Sequence, residues 1–404
     1  MNVVMFSSDC EMEFIGERYY KINKILLNGL GLWPSKTTGR IKLEPIIFFV
    51  LCFSFLFAQF CTLITSECNM NLILNVLSHM LPTLIYIVNY YAYYFNGEII
   101  TSMMDKVKSE WNILNDKKEI EIIEKYTHRI NVYTIILTLS VCISLIVFIF
   151  MEFSPIIFDI LMPLNETRPR NMHVQTEYFV DSEKYFLFMV LHEIIACIAG
   201  FITIVATGTI TMAYIQHGCG MLKIVRFRIQ HVLGENTMLK HSNFRNERII
   251  CDRIFHAVDL HRRIIKFFDF LISNFTIAFA ILIIIGVASM SINLYNLLQP
   301  STIKNRKELF SSIAIVFGHF IYMFLGNYFG QEIIDHSVEI FNAIYDVSWY
   351  TAPLSLQKIL LFLMQRMIKS FQLVVCDMFV ASLEGFSTLF TKSLSYLTVI
   401  YSLQ

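Results

Sequence analysis

Charged residues are scarce in this chain. Asp, Glu, Lys and Arg make up 16% of its 404 residues, compared with about 25% in a typical soluble protein. Hydrophobic residues reach 55%, and no soluble core accounts for that share. The formal net charge is zero, which argues against a nucleic-acid partner because such proteins carry a basic surface. The composition therefore predicts a membrane protein.

The usual patterns of cysteine, metal and phosphate chemistry are also absent. The nine cysteines include no CxxC pair, so we interpret them as small hydrophobic residues. His192-Glu193 begins the zinc signature His-Glu-x-x-His, but Ala196 stands where the second histidine belongs. No glycine-rich phosphate loop follows a strand. We therefore expect no enzyme, no metal and no cofactor.

Long apolar runs begin only at residue 44, so no cleavable signal peptide is expected. Seven apolar segments then follow, each near or above the roughly 20 residues that a helix needs to cross a bilayer. They lie at about 44–64, 72–94, 130–150, 186–210, 268–298, 310–330 and 380–400. The sequence thus predicts an all-α, seven-transmembrane protein that forms a single domain over residues 1–404.

The positions of Lys and Arg predict the orientation. Six precede the first span, six lie in the second connection and ten in the fourth. The first connection has none, the third has three, and the last two are balanced. By the positive-inside rule the N-terminus is cytoplasmic. Seven crossings then place the C-terminus outside.

The third connection, about 151–185, should lie outside. Asn165-Glu166-Thr167 is an N-glycosylation acceptor pattern, so Asn165 is a candidate glycosylation site. Pro155, Pro163 and Pro169 should prevent one continuous helix there. The connection is either an ordered lid over a cavity or a mobile glycosylated loop.

Two long connections, 211–267 and 331–379, carry helical patterns on the cytoplasmic side. Ile250, Ile254 and Val258 recur every four residues, as on one apolar helix face. Residues 356–371 mix apolar and basic side chains at helical spacing. We predict a compact helical anchor beneath the membrane, with a helix lying on the lipid surface as the alternative.

The last span carries a stripe of hydroxyl side chains. Its members share one helical face because they recur at three- and four-residue intervals. They are Thr388, Thr391, Ser395, Thr398 and Ser402, and Lys392 borders them. Such a stripe either lines an aqueous path or holds helices together, and the pore would require several subunits. The residues alone leave both readings open.

Polar, aromatic and Met side chains recur in the outer halves of four other spans. A cavity with this lining suits a small, mostly apolar ligand, and ordinary helix packing is the alternative. The candidate ligand-binding residues are Asn75, His79, Thr83 and Tyr86 in the second span, Ser144, Phe148 and Met151 in the third, Phe188, His192 and Ile195 in the fourth, and Val316, His319 and Tyr322 in the sixth.

Four segments carry a family resemblance over the whole chain. They are Tyr19-Tyr20 with Gly31-Leu32-Trp33-Pro34, then Asn327-Tyr328-Phe329-Gly330-Gln331 with Asp335-His336-Ser337, then Trp349-Tyr350 with Gln365-Arg366, and Ser382-Leu383-Glu384 with Ser395-Tyr396 and Thr398-Val399. In these segments the sequence resembles insect odorant receptors of the hymenopteran type.

The resemblance implies an inverted seven-helix channel in the plasma membrane, expected on the dendrite of an olfactory sensory neuron. It implies an odorant-gated, nonselective cation channel that assembles as a heterotetramer with the odorant co-receptor and is embedded in membrane lipid. The ligand is a small apolar odorant. The last helix would line the pore, with the pore and gate residues at Thr391, Ser395, Val399, Ser402 and Leu403. Ser402 stands where the co-receptor has Gln.

Two other functional classes fit seven spans. A receptor coupled to G proteins would require an extracellular N-terminus, opposite to the orientation that the charges predict. A membrane transporter would act without the co-receptor.

Overall fold

The computed structural model describes residues 20–33, 43–66, 69–162, 172, 174–181, 183–234, 244–346 and 349–402. Almost all of them are helical. The helices are α1 Lys21–Gly29, α2 Glu44–Thr65, α3 Met70–Phe95, α4 Gly97–Asn112, α5 Lys117–Leu161, α6 Phe186–Gly234, α7 Phe244–Leu298, α8 Pro300–Lys304, α9 Arg306–Tyr345, α10 Leu354–Met367 and α11 Leu383–Ser402, with a 3₁₀ turn at Trp349–Thr351. The all-α class is confirmed.

Each of the seven predicted spans falls on a helix. Within the described ranges, α2, α3, α5, α6, α7 and α9 are long and apolar enough to cross a membrane. The seventh predicted span is α11, which is less apolar because its 20 residues include Glu384, Lys392 and seven Ser or Thr. Large apolar side chains on the outside, such as Ile143 at 61% and Ile146 at 66% exposed, are suited to lipid contact.

Four of these helices are much longer than a bilayer is thick. The 40 residues of α9 span about 60 Å at 1.5 Å per residue, whereas the hydrocarbon layer is about 30 Å. The excess lengths of α5, α6, α7 and α9 meet α4 and α10 in one apolar core. We call this part the cytoplasmic layer, after the predicted orientation.

The helix of the third span extends farther than predicted. We expected the helix to end near residue 150, but α5 continues through Pro155 to Leu161. Proline removes the backbone N–H that would bond to the carbonyl of Met151. The hydroxyl of Ser154 donates to that carbonyl at 2.8 Å instead, so the helix tolerates Pro155. The other prolines of this connection and Asn165 lie outside the described residues.

α10 buries its apolar face within the cytoplasmic layer. Leu356, Leu360 and Leu363 are buried there against α9, in the same apolar core as Leu222 of α6 and Ile254 of α7. The amphipathic pattern therefore packs against protein in this structure.

Ion pairs join the long helices within the cytoplasmic layer. Arg228 on α6 donates two hydrogen bonds to the buried carboxylate of Glu119 on α5, at 2.6 and 2.7 Å. Glu339 on α9 accepts from Lys223 at 2.8 Å and Arg226 at 2.5 Å. Burial alone would raise the pKa of Glu339, but the hydrogen bonds from Lys223 and Arg226, together with the positive charge of Lys223, lower the pKa to about 2. The carboxylate of Glu339 therefore stays ionised at any physiological pH.

A two-stranded hairpin connects α10 to α11. Strand β1, Val374–Val375, pairs antiparallel with β2, Phe379–Val380, with Val374 opposite Val380. The turn between the strands places Cys376 and Asp377 at φ of 49° and 55°. After the hairpin the chain contacts α9 again at Leu383, the first residue of α11.

Candidate functional site

A chain of polar side chains links α3, α7 and α9 inside the bundle. Nε2 of His319 on α9 lies 2.8 Å from the hydroxyl of Ser289 on α7. One turn away, Asn293 donates to the Ser289 carbonyl at 2.8 Å and to the Ser78 carbonyl of α3 at 3.3 Å. Each of these groups is hydrogen-bonded, as burial among apolar helices requires. We call His319, Ser289, Asn293 and the Ser78 carbonyl the polar wall, because they lie together within an otherwise apolar region.

Two predicted tyrosines join α3 to its neighbouring helices. The hydroxyl of Tyr322 on α9 accepts from the Asn89 carboxamide of α3 at 3.3 Å. Tyr86 packs on α6, 5.8 Å from the ring of Phe201. A Cβ at Gly200 would overlap the Tyr86 ring, so glycine permits this close approach. The structure thus connects Tyr322 of the sixth predicted span to α3 through one hydrogen bond, and packs Tyr86 of the second span on α6.

The other residues of the second span share that helix. His79 Nδ1 lies 2.9 Å from the Ser78 hydroxyl, and buried Thr83 donates to the His79 carbonyl at 3.0 Å. The carbonyl of Asn75 receives the Ser78 hydroxyl at 2.6 Å. These hydroxyls are satisfied by their own helix.

His192 faces a different part of the molecule. Its Nε2 lies 2.9 Å from the hydroxyl of Ser54 on α2, and its Nδ1 lies 2.7 Å from the hydroxyl of Tyr178. It therefore joins α6 to α2 and to the segment before α6. Its neighbour Glu193 is fully buried.

Three predicted ligand residues face outward in the isolated chain, and three are half-buried between helices. Phe188 is 70% exposed and Ile195 is 51% exposed, and Ser144 is exposed as well. Phe148 packs against a small apolar cluster on α6, Val316 packs against Met290 and Met323, and Met151 is half-buried. The ligand-binding role of all thirteen candidates stays a prediction.

Sequence reasoning overlooked the contribution of the fifth span. Ser289 and Asn293 on α7, and Asn89 on α3, complete the polar wall. Ser289 and Asn293 stand four residues apart in a strongly apolar segment. That spacing, which puts two polar groups on one helix face, was the available signal.

A separate cavity of about 810 Å³ lies in the cytoplasmic layer between α4 and α7. Its lining includes Lys106, Arg263 and Lys266 together with Glu98 and Asp105. Apolar ligands favour pockets lined mainly by hydrophobic side chains. This charged cavity therefore does not fit the small apolar ligand that the outer spans predict.

The hydroxyl stripe of α11 points away from the rest of the chain. The side chains of α11 that are buried or half-buried against the rest of the chain are Phe386, Leu389, Phe390, Ser393, Leu397 and Ile400. At about 100° per residue, this face lies opposite the stripe. Its members Thr388, Thr391, Ser395, Thr398 and Ser402 are all exposed. The stripe therefore does not hold helices of one chain together.

The stripe hydroxyls donate to their own helix. Ser395 donates to the Thr391 carbonyl at 2.9 Å, and Thr398 to the Ser395 carbonyl at 2.7 Å. Ser402 donates to the Val399 carbonyl at 2.8 Å. Their oxygens remain as acceptors directed outward, a surface suited to water or cations. Val399 is 52% exposed, and Leu403 lies outside the described residues.

Comparison with known proteins agrees with this architecture. The family model described as 7tm Odorant receptor matches residues 69–392. No curated protein matches the chain. Olfactory receptor OR5 of the insect Machilis hrabei in complex with eugenol is similar in fold, with a TM-score of 0.73, 14% identity, and 96% of this chain and 98% of that one covered. A second structure of OR5 from Machilis hrabei is similar with a TM-score of 0.71, again at 14% identity and with the same coverage.

At 14% identity the solved structures establish the fold alone. The family model covers well over half of the chain, and the six long apolar helices show a multi-pass membrane protein. This chain belongs to the 7tm odorant receptor family of insects.

Proposed function

We propose that this protein is the odorant-binding subunit of a ligand-gated, nonselective cation channel. The observation that carries the proposal is the exposed hydroxyl stripe of α11. Polar groups on a membrane helix avoid lipid and turn toward protein or a water-filled cavity. Since the stripe faces away from its own chain, its partners must be other subunits and water around a shared axis.

The partner subunit we propose is the odorant co-receptor, in a heterotetramer. Four copies of a stripe can surround a conduit, whereas one cannot. The narrowest point would lie at Val399, Ser402 and Leu403, near the outer end of α11. The cytoplasmic layer would hold the tetramer together.

The ligand we propose is a small apolar odorant bound in the outer half of the bundle. Support comes from the polar wall of α3, α7 and α9, which offers a few fixed polar groups among apolar and aromatic side chains. The eugenol held by the similar OR5 structure is a compound of this class. An odorant that binds the open arrangement more tightly than the closed one shifts the gate by that difference in affinity.

Odorant-evoked current tests the proposal. Cells that express this chain together with the odorant co-receptor should conduct cations when a broad panel of apolar odorants is applied. Cells with the co-receptor alone should not respond to the same compounds. Silence across the panel despite surface expression would contradict the channel function, and ligand uptake without the co-receptor would indicate a transporter.

The same assay examines the cavity. Tyr322→Ala and His319→Ala should raise the odorant concentration for half-maximal current about tenfold, since the loss of one buried hydrogen bond is worth about 1–3 kcal/mol. His192→Ala should change it less, because this side chain contacts α2. Equal shifts in all three variants would contradict a cavity beside α9.

A further inference from the structure

The first turn of α11 depends on α9 for its hydrogen bonds. The first four N–H groups of any helix lack partners within the helix. At the start of α11, the N–H of Ser382, the residue before the helix, donates to Oδ1 of Asn327 at 3.3 Å, and the N–H of Leu383 donates to Oε1 of Gln331 at 3.3 Å. The N–H of Gly385 donates to the Ser382 hydroxyl at 3.0 Å. Two of these three acceptors belong to α9.

Both carboxamides are oriented by their own helix. Nδ2 of Asn327 donates to the Met323 carbonyl at 2.8 Å, and Nε2 of Gln331 donates to Oδ1 of Asp335 at 2.8 Å. With each nitrogen occupied on α9, each oxygen is left to face α11. The pair therefore acts as a preset acceptor for the start of the helix.

Two glycines permit the close contact. A Cβ at Gly330 on α9 would overlap the backbone of Ala381, and one at Gly385 on α11 would overlap the carbonyl of Val380. That Cβ would also lie 3.1 Å from Oδ1 of Asn327. A side chain at Gly330 would push the start of α11 away from α9, and a side chain at Gly385 would displace strand β2, which leads into α11.

The segment that leads into α11 is also hydrogen-bonded to α9. Ser337, two turns beyond Gln331 on α9, accepts from the N–H of Phe371 at 3.1 Å. In the middle, Thr276 on α7 accepts from the N–H of Cys376 at 3.0 Å. Both ends of the 371–383 connection are thus hydrogen-bonded to α9.

The contact between α9 and the start of α11 lies close to the polar wall. Tyr322 precedes Asn327 by five residues on one helix, which is about 8 Å of rise. Aromatic rings continue the contact, since Phe386 on α11 packs edge-on against Phe320 and Phe324 of α9, with ring centroids 5.2 and 5.5 Å apart. A shift of α9 along or about its axis must therefore move the acceptors on which α11 starts.

We infer that Asn327 and Gln331 form a joint through which α9 sets the position of α11. The inference rests on the proposed channel function and extends it. They are positioning residues: they touch neither odorant nor permeating ion, and they transmit displacement of the cavity wall to the pore helix. Two of the segments that carry the family resemblance, 327–337 and 382–399, meet at this joint. The joint gives a physical reason for their residues.

The test separates hydrogen-bond acceptance from size. Gln331→Met and Asn327→Leu remove the acceptor at similar volume. The double variant Gln331→Glu with Asp335→Asn keeps an acceptor for α11, since a carboxylate is favourable at a helix N-terminus, and an amide at position 335 can donate to it in place of the bond that Gln331 makes to Asp335. Asn274→Leu on α7 is the matched control, because Asn274 makes the same local bond to the Phe270 carbonyl at 2.6 Å and, among the described residues, no hydrogen bond to α11.

Hydrogen exchange of a peptide over 380–390 in the purified full chain reports the joint directly. Exchange should be about tenfold faster in Gln331→Met and Asn327→Leu, the size expected for one lost hydrogen bond. The maximal odorant-evoked current with the co-receptor should also fall about tenfold, since the lost coupling is of the same size. The amount of receptor at the cell surface should be unchanged. The double variant Gln331→Glu with Asp335→Asn, and Asn274→Leu, should resemble the wild type in both measurements.

Faster exchange with unaltered odorant current would overturn the joint as a gating element. Unaltered exchange in both acceptor-less variants would overturn the contact itself. If exchange were faster in Gln331→Met and Asn327→Leu but the wild type carried no odorant current, the channel function would be contradicted. The joint would still stand as the contact that positions α11.

Discussion

A positive charge attached at Ser395 should block the cation current. In Ser395→Cys, a membrane-impermeant trimethylammonium thiol reagent applied from outside should reduce the odorant-evoked current about tenfold. Two like unit charges about 4 Å apart repel by about 4 kcal/mol at an effective dielectric constant of about 20. A third of that barrier already corresponds to a factor of about ten. The measurement is current before and after the reagent, during odorant application.

Position on α11 supplies the controls. Ile400→Cys places the thiol on the half-buried face that packs near Tyr295, and its current should survive the reagent. The chain without an engineered cysteine is the second control, because Cys142 and Cys376 are exposed and could react with the reagent. Its current must stay unchanged. Equal block at both engineered positions, or none at Ser395→Cys, would show that the hydroxyl stripe does not face the conduction path.

Removing Glu119 should destabilise the cytoplasmic layer strongly. Its side chain is 8% exposed and that of Arg228 is 24% exposed, so Glu119→Ala would leave a guanidinium unpaired at a largely desolvated site. Breaking a buried pair in this way costs about 3–5 kcal/mol. We expect the thermal unfolding temperature of the purified chain to fall by about 5 °C, with less receptor at the cell surface.

A nearby carboxylate is the reference for that experiment. Glu121 on the same helix is exposed, and Glu121→Ala should leave the unfolding temperature nearly unchanged. The double variant Glu119→Ala with Arg228→Ala should lose less than the two single losses added together, since no unpaired charge remains. If Glu119→Ala and Glu121→Ala behaved alike, the ion pair would not support the α5–α6 contact.

Sequence patterns predicted the spans well and their ends poorly. The seven segments were evident because lipid demands long apolar runs, but the extent of α5 depended on a local repair. The hydroxyl of Ser154 replaces the hydrogen-bond donor that Pro155 lacks at the Met151 carbonyl. No hydropathy pattern reports such a bond.

The candidate site was predicted less completely, because helical spacing shows which residues share a face but not what that face meets. Tyr322 and His319 contact α3 and α7, whereas Phe188 and His192, chosen by the same reasoning, face outward and toward α2. Asn293 was missed although Ser289 lies four residues before it, because their shared helix face does not show which helices it meets.

By itself the sequence determined that this chain is a seven-span membrane protein and that its last helix carries a polar stripe, since both are properties of residue order along one helix. Only the tertiary structure decided that the stripe faces away from its own chain and that α11 starts on the carboxamides of α9. Those two facts depend on how helices far apart in the sequence are rotated against one another. Rotation is set by packing between surfaces, and no single segment contains it.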